Sequence, residues 1–391
     1  MKRDNLKISR RTFLGGVFAA AALALVKKND AAEAGRRVWK RGDLQIHFIY
    51  TGVGEQMFYI FPDGTTMLLD CGNSDTSKHR MPAPIPPAVK GRAGEYVADY
   101  ILRVNPAPDP SRVDYMMTSH YHADHTHGYQ ELIERIHFSK AFDRTWPDVN
   151  FPCRIEDYDQ KDQSLPMMRG VYEKLAARDG LVVEKWRVGE REQLKLLHGG
   201  ADGFSVFNLC ANGFAADETT GKVVDLYHDY PDKQPGFKGN QYGKQWINEN
   251  GMSIGFILTY GAFRFFCAGD FSDAPCGRSI EEALAGMVRP VTAAKMSHHG
   301  FNQSMPPALV AALRPREWFN AVWNHAQNSA EVIARVTDRG LYPGERRIHS
   351  CFFTPSRPCA DVADPALYEG RTVVLTVAPG GKDYRIDYVN P

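Results

Sequence analysis

The apolar positions in the first part of the chain follow a strand-and-turn pattern. Residues 44–50 alternate apolar and polar side chains, and 57–61 and 66–69 are two further short apolar runs. Alternation with a period of two is typical of β-strands. The turn sequence Pro-Asp-Gly at 62–64, between the last two runs, predicts a hairpin. We therefore expect this region to begin with consecutive short strands.

Outside residues 139–250, the rest of the chain alternates helix-like and strand-like segments. In chain order these are a helix at 95–104, strands at 113–118, 253–260 and 263–268, a helix at 280–287, a strand at 292–297, a helix at 307–313, a strand at 318–323, a helix at 330–336 and a hairpin of 372–378 with 384–389. Strands that alternate with helices on this scale predict an α/β layered fold.

Residues 139–250 differ from the rest because they contain few continuous apolar runs. A helix-like piece at 168–178 and hairpin-like pieces at 181–188 and 205–210 are the exceptions. A segment of about 110 residues exceeds an ordinary connection, so we interpret it as a functional insertion near the active site. A peripheral subdomain or a dimer contact is the alternative. The residues expected to form an apolar wall over the pocket are Trp146, Tyr158, Trp186, Tyr242 and Trp246.

The first 34 residues have the layout of an export signal. A basic start is followed by SRRTFL at 9–14, an apolar stretch at 13–26, two lysines and a small-residue site that ends at Ala34. The apolar stretch would span about 21 Å as a helix, too short for a hydrocarbon core of about 30 Å. This predicts a cleavable signal peptide at 1–34, with an uncleaved anchor as the alternative. The SRRTFL string resembles the twin-arginine signal, which implies folded export by the twin-arginine machinery to a periplasmic or secreted location.

Composition fits a globular protein without broad affinity for nucleic acid. Hydrophobic residues are 43% and charged residues 24% of the 391, which excludes a disordered chain. Lys and Arg number 47 against 46 Asp and Glu. Cleavage after Ala34 would remove seven of the former and three of the latter, leaving 40 and 43 and a net charge of −3. A slightly acidic mature chain carries no strong nucleic-acid signature, which leaves a small-molecule substrate as the expectation.

The seven cysteines are widely spaced and form no CxxC pair, so neither a zinc ribbon nor a redox dithiol is expected. Cys71 and Cys267 lie in apolar strand-like runs and are predicted to be buried thiols. In an oxidising compartment, Cys351 and Cys359 are candidate disulfide partners.

Five side chains that can bind metal ions follow the apolar run 113–118: His120, His122, Asp124, His125 and His127. In an extended segment His120 and His122 point to the same side and can share one ion. Asp124 and His125 follow where the chain turns toward a helix and can reach a second ion. Imidazole and carboxylate are suitable ligands for Zn²⁺. The pattern favours a metal site over a histidine-rich surface loop.

The HxHxDH string at 120–125 resembles the metallo-β-lactamase fold superfamily of binuclear metallohydrolases. Within it, the best-fitting subgroup is the metallohydrolase domain of competence-type DNA-uptake proteins. Further matching stretches follow in the order of that subgroup: 48–54, 58–72 with its Asp-x-Gly end, 250–253 with 269–270, KMSHHGFNQS at 295–304, and Asn-His at 324–325. The resemblance implies a four-layer αββα sandwich over 40–391 that carries the insertion 139–250 and binds two zinc ions.

The resemblance also implies roles for the candidate ligands. His120 and His122 would bind the first ion, and Asp124 and His125 the second. Asp270 would bridge both ions.

Two features of the implied site are left open. One of His298 and His299 would complete the second site, while the other would support it or contact substrate. Many family members supply a third histidine to the first ion, but Asn250 occupies that neighbourhood here. The first site is therefore either weakly held or absent, with one tight ion doing the chemistry.

Four further residues are candidates for supporting roles, Asp70 and His325 by the same resemblance. Asp70 would orient a ligand through a hydrogen bond. Lys295 is a candidate anion contact, with a surface or strand-edge lysine as the alternative. His325 falls where the subgroup has a histidine, and His127 would cap a helix or line the pocket.

The implied chemistry is hydrolysis by a metal-bound hydroxide, which forms near neutral pH because the ions lower the pKa of bound water. Asp270 would hold the bridge, and Asp124 or a histidine of the pocket would move the proton. Asp124 and Asp270 are the predicted catalytic residues. The expected substrate is a small phosphodiester. A lactone or β-lactam hydrolase of the same fold and a non-catalytic zinc-containing binding protein are the alternatives.

Replacing both Arg10 and Arg11 by lysine is expected to block export, because the twin-arginine receptor reads paired arginines. Cell fractionation with an immunoblot would then show uncleaved precursor in the cytoplasm. The wild-type chain in the same strain is the control. Normal processing of the Lys-Lys form at Ala34 would show this interpretation of the segment to be wrong.

Overall fold

The strands and helices are described in a computed structural model for residues 38–75, 77, 83–89, 91–148, 164–226, 249–271, 280–353 and 370–390. The predicted export signal lies outside these residues. The strands are β1 (Leu44–Phe48), β2 (Met57–Ile60), β3 (Thr66–Leu69), β4 (Arg112–Thr118), β5 (His137–Asp143), β6 (Val182–Lys185), β7 (Phe204–Ala211), β8 (Phe214–Ala216), β9 (Val223–Asp225), β10 (Gly255–Tyr260), β11 (Phe263–Ala268), β12 (Ala293–Lys295), β13 (Glu317–Asn320), β14 (Arg347–Ser350), β15 (Thr372–Val377) and β16 (Tyr384–Val389). The helices are α1 (Ala93–Val104), α2 (Ala123–Thr126), α3 (Tyr129–Leu132), α4 (Ser164–Asp179), α5 (Ile280–Ala285), α6 (Pro307–Leu313) and α7 (Ala330–Thr337).

Two mixed eight-stranded sheets form the centre of the described fold. The first has the order β16-β15-β1-β2-β3-β4-β5-β6 and is antiparallel as far as β3 and parallel beyond it. The second has the order β14-β13-β12-β11-β10-β7-β8-β9, parallel from β14 to β11 and antiparallel from β11 to β9. Ligand-binding residues in such sheets commonly follow the carboxyl ends of parallel strands. Here the loops after β3, β4, β11 and β12 carry the predicted site residues.

Both faces of the central strands of each sheet are covered, which explains the continuous apolar runs. Along β2, Met57 and Tyr59 face the core between the sheets, whereas Phe58 and Ile60 pack under the helices. Helices α1, α3 and α4 cover the outer face of the first sheet, and α5, α6 and α7 cover that of the second. The layers therefore run helix, sheet, sheet, helix. The predicted α/β sandwich is confirmed at this level.

The described part of 139–250 contributes to this core, although it contains few continuous apolar runs in the sequence. Strands β5 and β6 extend the first sheet, and β7, β8 and β9 extend the second. Residues 181–188 contain the single strand β6, which is parallel to β5, and not the expected hairpin. The piece at 205–210 does enter a hairpin, as β7 with β8. Strands β6, β8 and β9 are only three or four residues long, and β6 and β9 lie at sheet edges with partly exposed side chains, so the sequence pattern did not show them as buried strands. A role over the active site stays a prediction.

Trp186 is a core residue and not part of a pocket wall. It is 1% exposed and contacts the rings of Phe142 and Phe256 at centroid distances of 5.4 and 6.3 Å. Trp146 packs edge-on against Tyr172 at 5.2 Å. The other three aromatic residues proposed for the wall lie outside the described residues.

The two buried-thiol predictions are confirmed, whereas Cys351, proposed for a disulfide, is a free thiol. Cys71 and Cys267 are buried free thiols, and so is Cys351, whose Sγ donates to the Phe48 carbonyl oxygen. Cys359 lies outside the described residues. Among the described helices, none has the length and apolar character needed to cross a membrane.

Trp186→Ala is expected to lower the free energy of unfolding by about 3–5 kcal/mol, because it leaves a large cavity between the sheets. Urea denaturation measures the change. Val182→Ala, at a 57% exposed position on the same strand region, is the control and should change stability by less than about 0.5 kcal/mol. A loss of under about 1 kcal/mol for Trp186→Ala would contradict its core position.

Candidate metal centre

The loops after β1 and β3 lie directly against the histidine-rich segment 120–127 and hold it in place. The Glu55 backbone N–H donates to the Asp124 carbonyl oxygen at 2.8 Å. A Cβ on Gly72 would lie 1.8 Å from that same oxygen, and one on Gly54 would lie 2.7 Å from it. A larger residue at either position would push the backbone of α2 away. The glycines therefore let the loops after β1 and β3 hold this segment directly.

Asp70, at the carboxyl end of β3, ties the segment to the first sheet. Its Oδ1 accepts a hydrogen bond from Ser119 N at 2.7 Å, and its Oδ2 accepts one from Ser119 Oγ at 2.6 Å. The same Oδ2 is 2.8 Å from His125 Nδ1. The φ of Asp70 is +59°, a strained conformation for a non-glycine residue. The strain is retained where the carboxylate orients both Ser119 and His125.

His298, His299 and Gly300 form a left-handed turn after β12, with φ values of +46°, +51° and +71°. Two consecutive non-glycine residues in this region are strained, so the surroundings must hold them. The His299 carbonyl oxygen accepts hydrogen bonds from Asn320 Nδ2 at 2.8 Å and from Asn328 N at 3.1 Å. The turn buries the side chain of His299, which is 1% exposed, and leaves that of His298 19% exposed.

A buried group of Glu55, His125, Asp270 and His299 can hold a metal ion. One ligand atom from each residue lies within 4.8 Å of those of the other three. Asp270 Oδ2 is 3.0 Å from His125 Nε2 and 3.1 Å from His299 Nε2. Asp124 Oδ2 is 3.1 Å from His299 Nε2, at the rim of the group. The structure therefore separates the adjacent histidines, because His299 joins this group.

The Nδ1 atoms of the two buried imidazoles are engaged away from Asp270. His125 Nδ1 donates to Asp70 Oδ2. His299 Nδ1 donates to the Ala321 carbonyl oxygen at 2.9 Å, with a Glu55 oxygen 3.2 Å away. A proton on Nδ1 leaves the electron pair of Nε2 for a metal ion. Both Nε2 atoms face the same carboxylate oxygen, which is the geometry a shared cation needs.

Nearby carboxylates govern the protonation of these imidazoles. Burial alone would lower the pKa of His125, but Asp270 and the other carboxylates raise that pKa well above its ordinary value. The pKa of His299 is raised for the same reason. Burial lowers the pKa of His298 to about 4, so this imidazole is neutral at pH 7. A cation that enters between His125 and His299 would therefore displace protons.

Unpaired polar atoms around the group also fit a cation. Asp270 Oδ1, Asn250 Oδ1 and His298 Nδ1 are buried without a hydrogen-bond partner in the described part of the chain. Buried polar atoms in folded proteins nearly always have partners. Imidazole nitrogens and carboxylate oxygens together suit a borderline divalent cation.

The other three histidines of the site lie farther from Asp270 than His125 and His299 do. They are His120, His122 and His298. His120 Nε2 is 3.2 Å from His122 Nδ1 and 4.0 Å from Asp270 Oδ2. Burial lowers the pKa of His120 well below its ordinary value, so its ring is neutral. His298 Nε2 is also 4.0 Å from Asp270 Oδ2 and lies 3.4 Å from Asn250 Nδ2. Asn250 therefore stands beside the more exposed of the two adjacent histidines.

Lys295 is not positioned to contact substrate, because its side chain is fully buried. Its Nζ donates to the carbonyl oxygens of Ala268 at 2.9 Å and Met296 at 3.3 Å, and lies 3.0 Å from Glu55 Oε1. The alternative of a surface or strand-edge lysine is wrong as well, because β12 lies inside its sheet. Sequence reasoning missed Glu55. An acidic residue directly after a Gly-x-Gly bend between two apolar strands was the available signal.

His127 and His325 lie at the margin of this centre. His127 Nε2 is 3.0 Å from Ser164 Oγ, so it joins the end of α2 to the start of α4. The ring of His325 packs edge-on against Phe352 at 4.9 Å. Neither contact reaches Asp270, and their roles stay predictions.

Residues 251–255 match the Gly-x-Ser-x-Gly string of serine hydrolases, but the structure gives Ser253 another task. Ser253 is fully buried, and its Oγ accepts a hydrogen bond from Asp270 N at 3.0 Å. It also precedes strand β10, whereas a nucleophile elbow joins a strand to a helix. Ser253 therefore positions Asp270 and is not a nucleophile.

No protein-family model matches the chain, and no curated protein matches it either. The chemistry of this centre is accordingly argued from its own residues.

Zinc is expected to raise the Tm of the metal-free wild type and of the metal-free His298→Ala variant. The rise should be much smaller for His299→Ala, because this variant loses one donor of the buried group. Thermal unfolding with and without Zn²⁺ after chelator treatment measures the shift. His198→Ala, at a half-exposed histidine paired with Asp114, is the matched control. An equal shift in His299→Ala and wild type would show that the buried group does not hold the ion.

Proposed function

We propose that the chain is an exported metal-dependent hydrolase of the metallo-β-lactamase type, acting on a small phosphodiester. One observation carries the proposal. Asp270 Oδ2 is 3.0 Å from His125 Nε2 and 3.1 Å from His299 Nε2. The same oxygen is 4.0 Å from the Nε2 atoms of His120 and His298. Four imidazoles around one buried carboxylate oxygen suit a carboxylate that bridges two cations.

The two ions are proposed to be zinc. The residues that would hold the second ion are Asp124, His125, Asp270 and His299. Those that would hold the first are His120, His122 and Asp270, with His298 and Asn250 beside them. When bound, zinc supplies a Lewis acid and an activated water at neutral pH.

The protein residues would supply orientation and proton transfer. Asp270 is 1% exposed, and its backbone N–H donates to Ser253 Oγ, which fixes the backbone from which the carboxylate projects. Asp124 sits at the rim with its side chain 16% exposed. Burial raises the pKa of Asp124, but His125 and His299 outweigh it and hold the pKa below its ordinary value. Asp124 is therefore a carboxylate at neutral pH and can accept a proton from the attacking water.

Support for a phosphodiester comes from the resemblance of 120–125 and 295–304 to the competence-type subgroup. Lys295 no longer adds to it, because its ammonium group pairs with Glu55 in the interior. The net charge of −3 after removal of the signal argues for a small substrate over a long nucleic acid. The neutral ring of His298, at the partly open side of the centre, is suited to contact a substrate oxygen.

His120→Ala, Asp124→Ala and Asp270→Ala are each expected to abolish hydrolysis of bis-p-nitrophenyl phosphate while the protein stays folded. Zinc content should fall most in Asp270→Ala, because that carboxylate would touch both ions. Metal analysis and an initial-rate assay on the same samples measure both effects, with His198→Ala as the control. Full activity and two zinc ions in Asp124→Ala would contradict the two-ion assignment.

The same samples distinguish the alternatives. Turnover of a lactone or β-lactam without turnover of the phosphodiester would favour the C–O or C–N hydrolase. Tight zinc binding without turnover of any of these would favour a binding protein. Folded wild type that takes up no zinc would contradict the whole proposal.

A further inference from the structure

We propose that the buried Arg144–Glu249 ion pair positions the His120–His122 loop and thereby forms the first metal site. This inference rests on the two-ion function proposed above. Neither residue carries a metal-binding or catalytic role there. Both act through the loop and through Asn250, which makes them positioning residues.

The pair is two-pronged and wholly inside the protein. Arg144 follows β5 directly, and Glu249 directly precedes Asn250. Arg144 Nε lies 2.9 Å from Glu249 Oε1, and the second guanidinium contact to Oε2 is 3.0 Å. Both side chains are 0% exposed. Such parallel contacts fix the plane of the carboxylate as well as its distance.

The Glu249 carboxylate, held in this way, also binds the loop that carries His120 and His122. Tyr121, between His120 and His122, donates its backbone N–H to Glu249 Oε1 at 2.8 Å. The Arg144 guanidinium lies over the Tyr121 ring at 4.5 Å. The Tyr121 hydroxyl donates to Asp143 Oδ1 at 2.7 Å. With Tyr121 held at its backbone, its ring and its hydroxyl, the flanking imidazoles have fixed directions.

The pair also connects this loop to the second sheet. Asn212, after β7, accepts from Arg144 at 2.8 Å through Oδ1 and donates to the Arg144 carbonyl oxygen at 2.5 Å through Nδ2. Asn212 N donates to the Met252 carbonyl oxygen at 3.0 Å. The turn Asn250–Met252 is therefore set by the same contacts that set Tyr121. The His120 loop and Asn250, from different sheets, share one anchor.

Stability alone is a poor reason to keep such a pair. Removing two charges from water costs several kcal/mol per ion, and well-packed apolar residues of similar size often serve stability as well or better. The ion pair binds the backbone and the ring of Tyr121, and apolar residues cannot replace the hydrogen bond that Glu249 accepts. Replacing the pair should consequently spare the fold and disturb the loop.

The test compares Arg144→Met/Glu249→Met, which removes both charges together, with Glu249→Asp, which keeps the charge but withdraws the carboxylate from Tyr121. The matched control is Arg264→Met/Glu218→Met. It removes another buried carboxylate together with one of its two arginines and leaves the more exposed Arg289 in place. Arg264 lies near the start of β11, whereas Asp270 follows the end of that strand about 20 Å away. Hydrogen exchange of the Tyr121 amide in metal-free protein and zinc ions per chain are measured, with Tm as the folding check.

Both variants are expected to exchange the Tyr121 amide at least tenfold faster than wild type and to retain one zinc ion where wild type and control retain two. Unchanged exchange and two equally tight ions in a folded variant would overturn the proposal. Wild type that binds fewer than two ions would contradict the two-ion function, and the exchange rate then decides the positioning role by itself.

Discussion

Buried negative charge is the constraint on which this structure depends. Glu55, Asp70, Glu249 and Asp270 are each at most 1% exposed. An uncompensated carboxylate in the interior would cost several kcal/mol, so each needs a cation or several donors. Lys295 compensates Glu55, and Arg144 compensates Glu249.

Asp70 and Asp270 differ from Glu249 because histidines are among their main partners, and Glu55 lies between the two cases, with both Lys295 and His299 beside it. An imidazolium can give up its proton to make room for a metal ion, whereas a lysine or arginine at neutral pH does not. The permanent pairs therefore build a rigid frame, and the exchangeable charge is concentrated at Asp270 with His125 and His299. This division makes the interior stable around a site that can still take up a cation.

Backbone geometry does the rest of the positioning. Gly54 and Gly72 permit contacts that any side chain would block, and the left-handed His298–His299 turn directs adjacent imidazoles to different surroundings. Such strain persists only where the packing around it leaves the chain no alternative. The strained residues lie at the metal centre, and the packing of the two sheets and their helices holds them in place.

The sequence by itself determined most of the strand and helix positions outside 139–250, because short apolar runs bounded by Gly and Pro report burial locally. The family resemblance implied that His120, His125 and Asp270 would meet, and in the structure they lie together because residues after parallel strands collect at one edge. The sequence could not choose between His298 and His299, because adjacent residues share every sequence pattern and only the φ values of the turn separate them. Glu55, Lys295 and the Arg144–Glu249 pair were decided by tertiary structure alone. Their charges look solvent-exposed in a linear sequence, and they become interior groups only because partners up to 240 residues away fold against them.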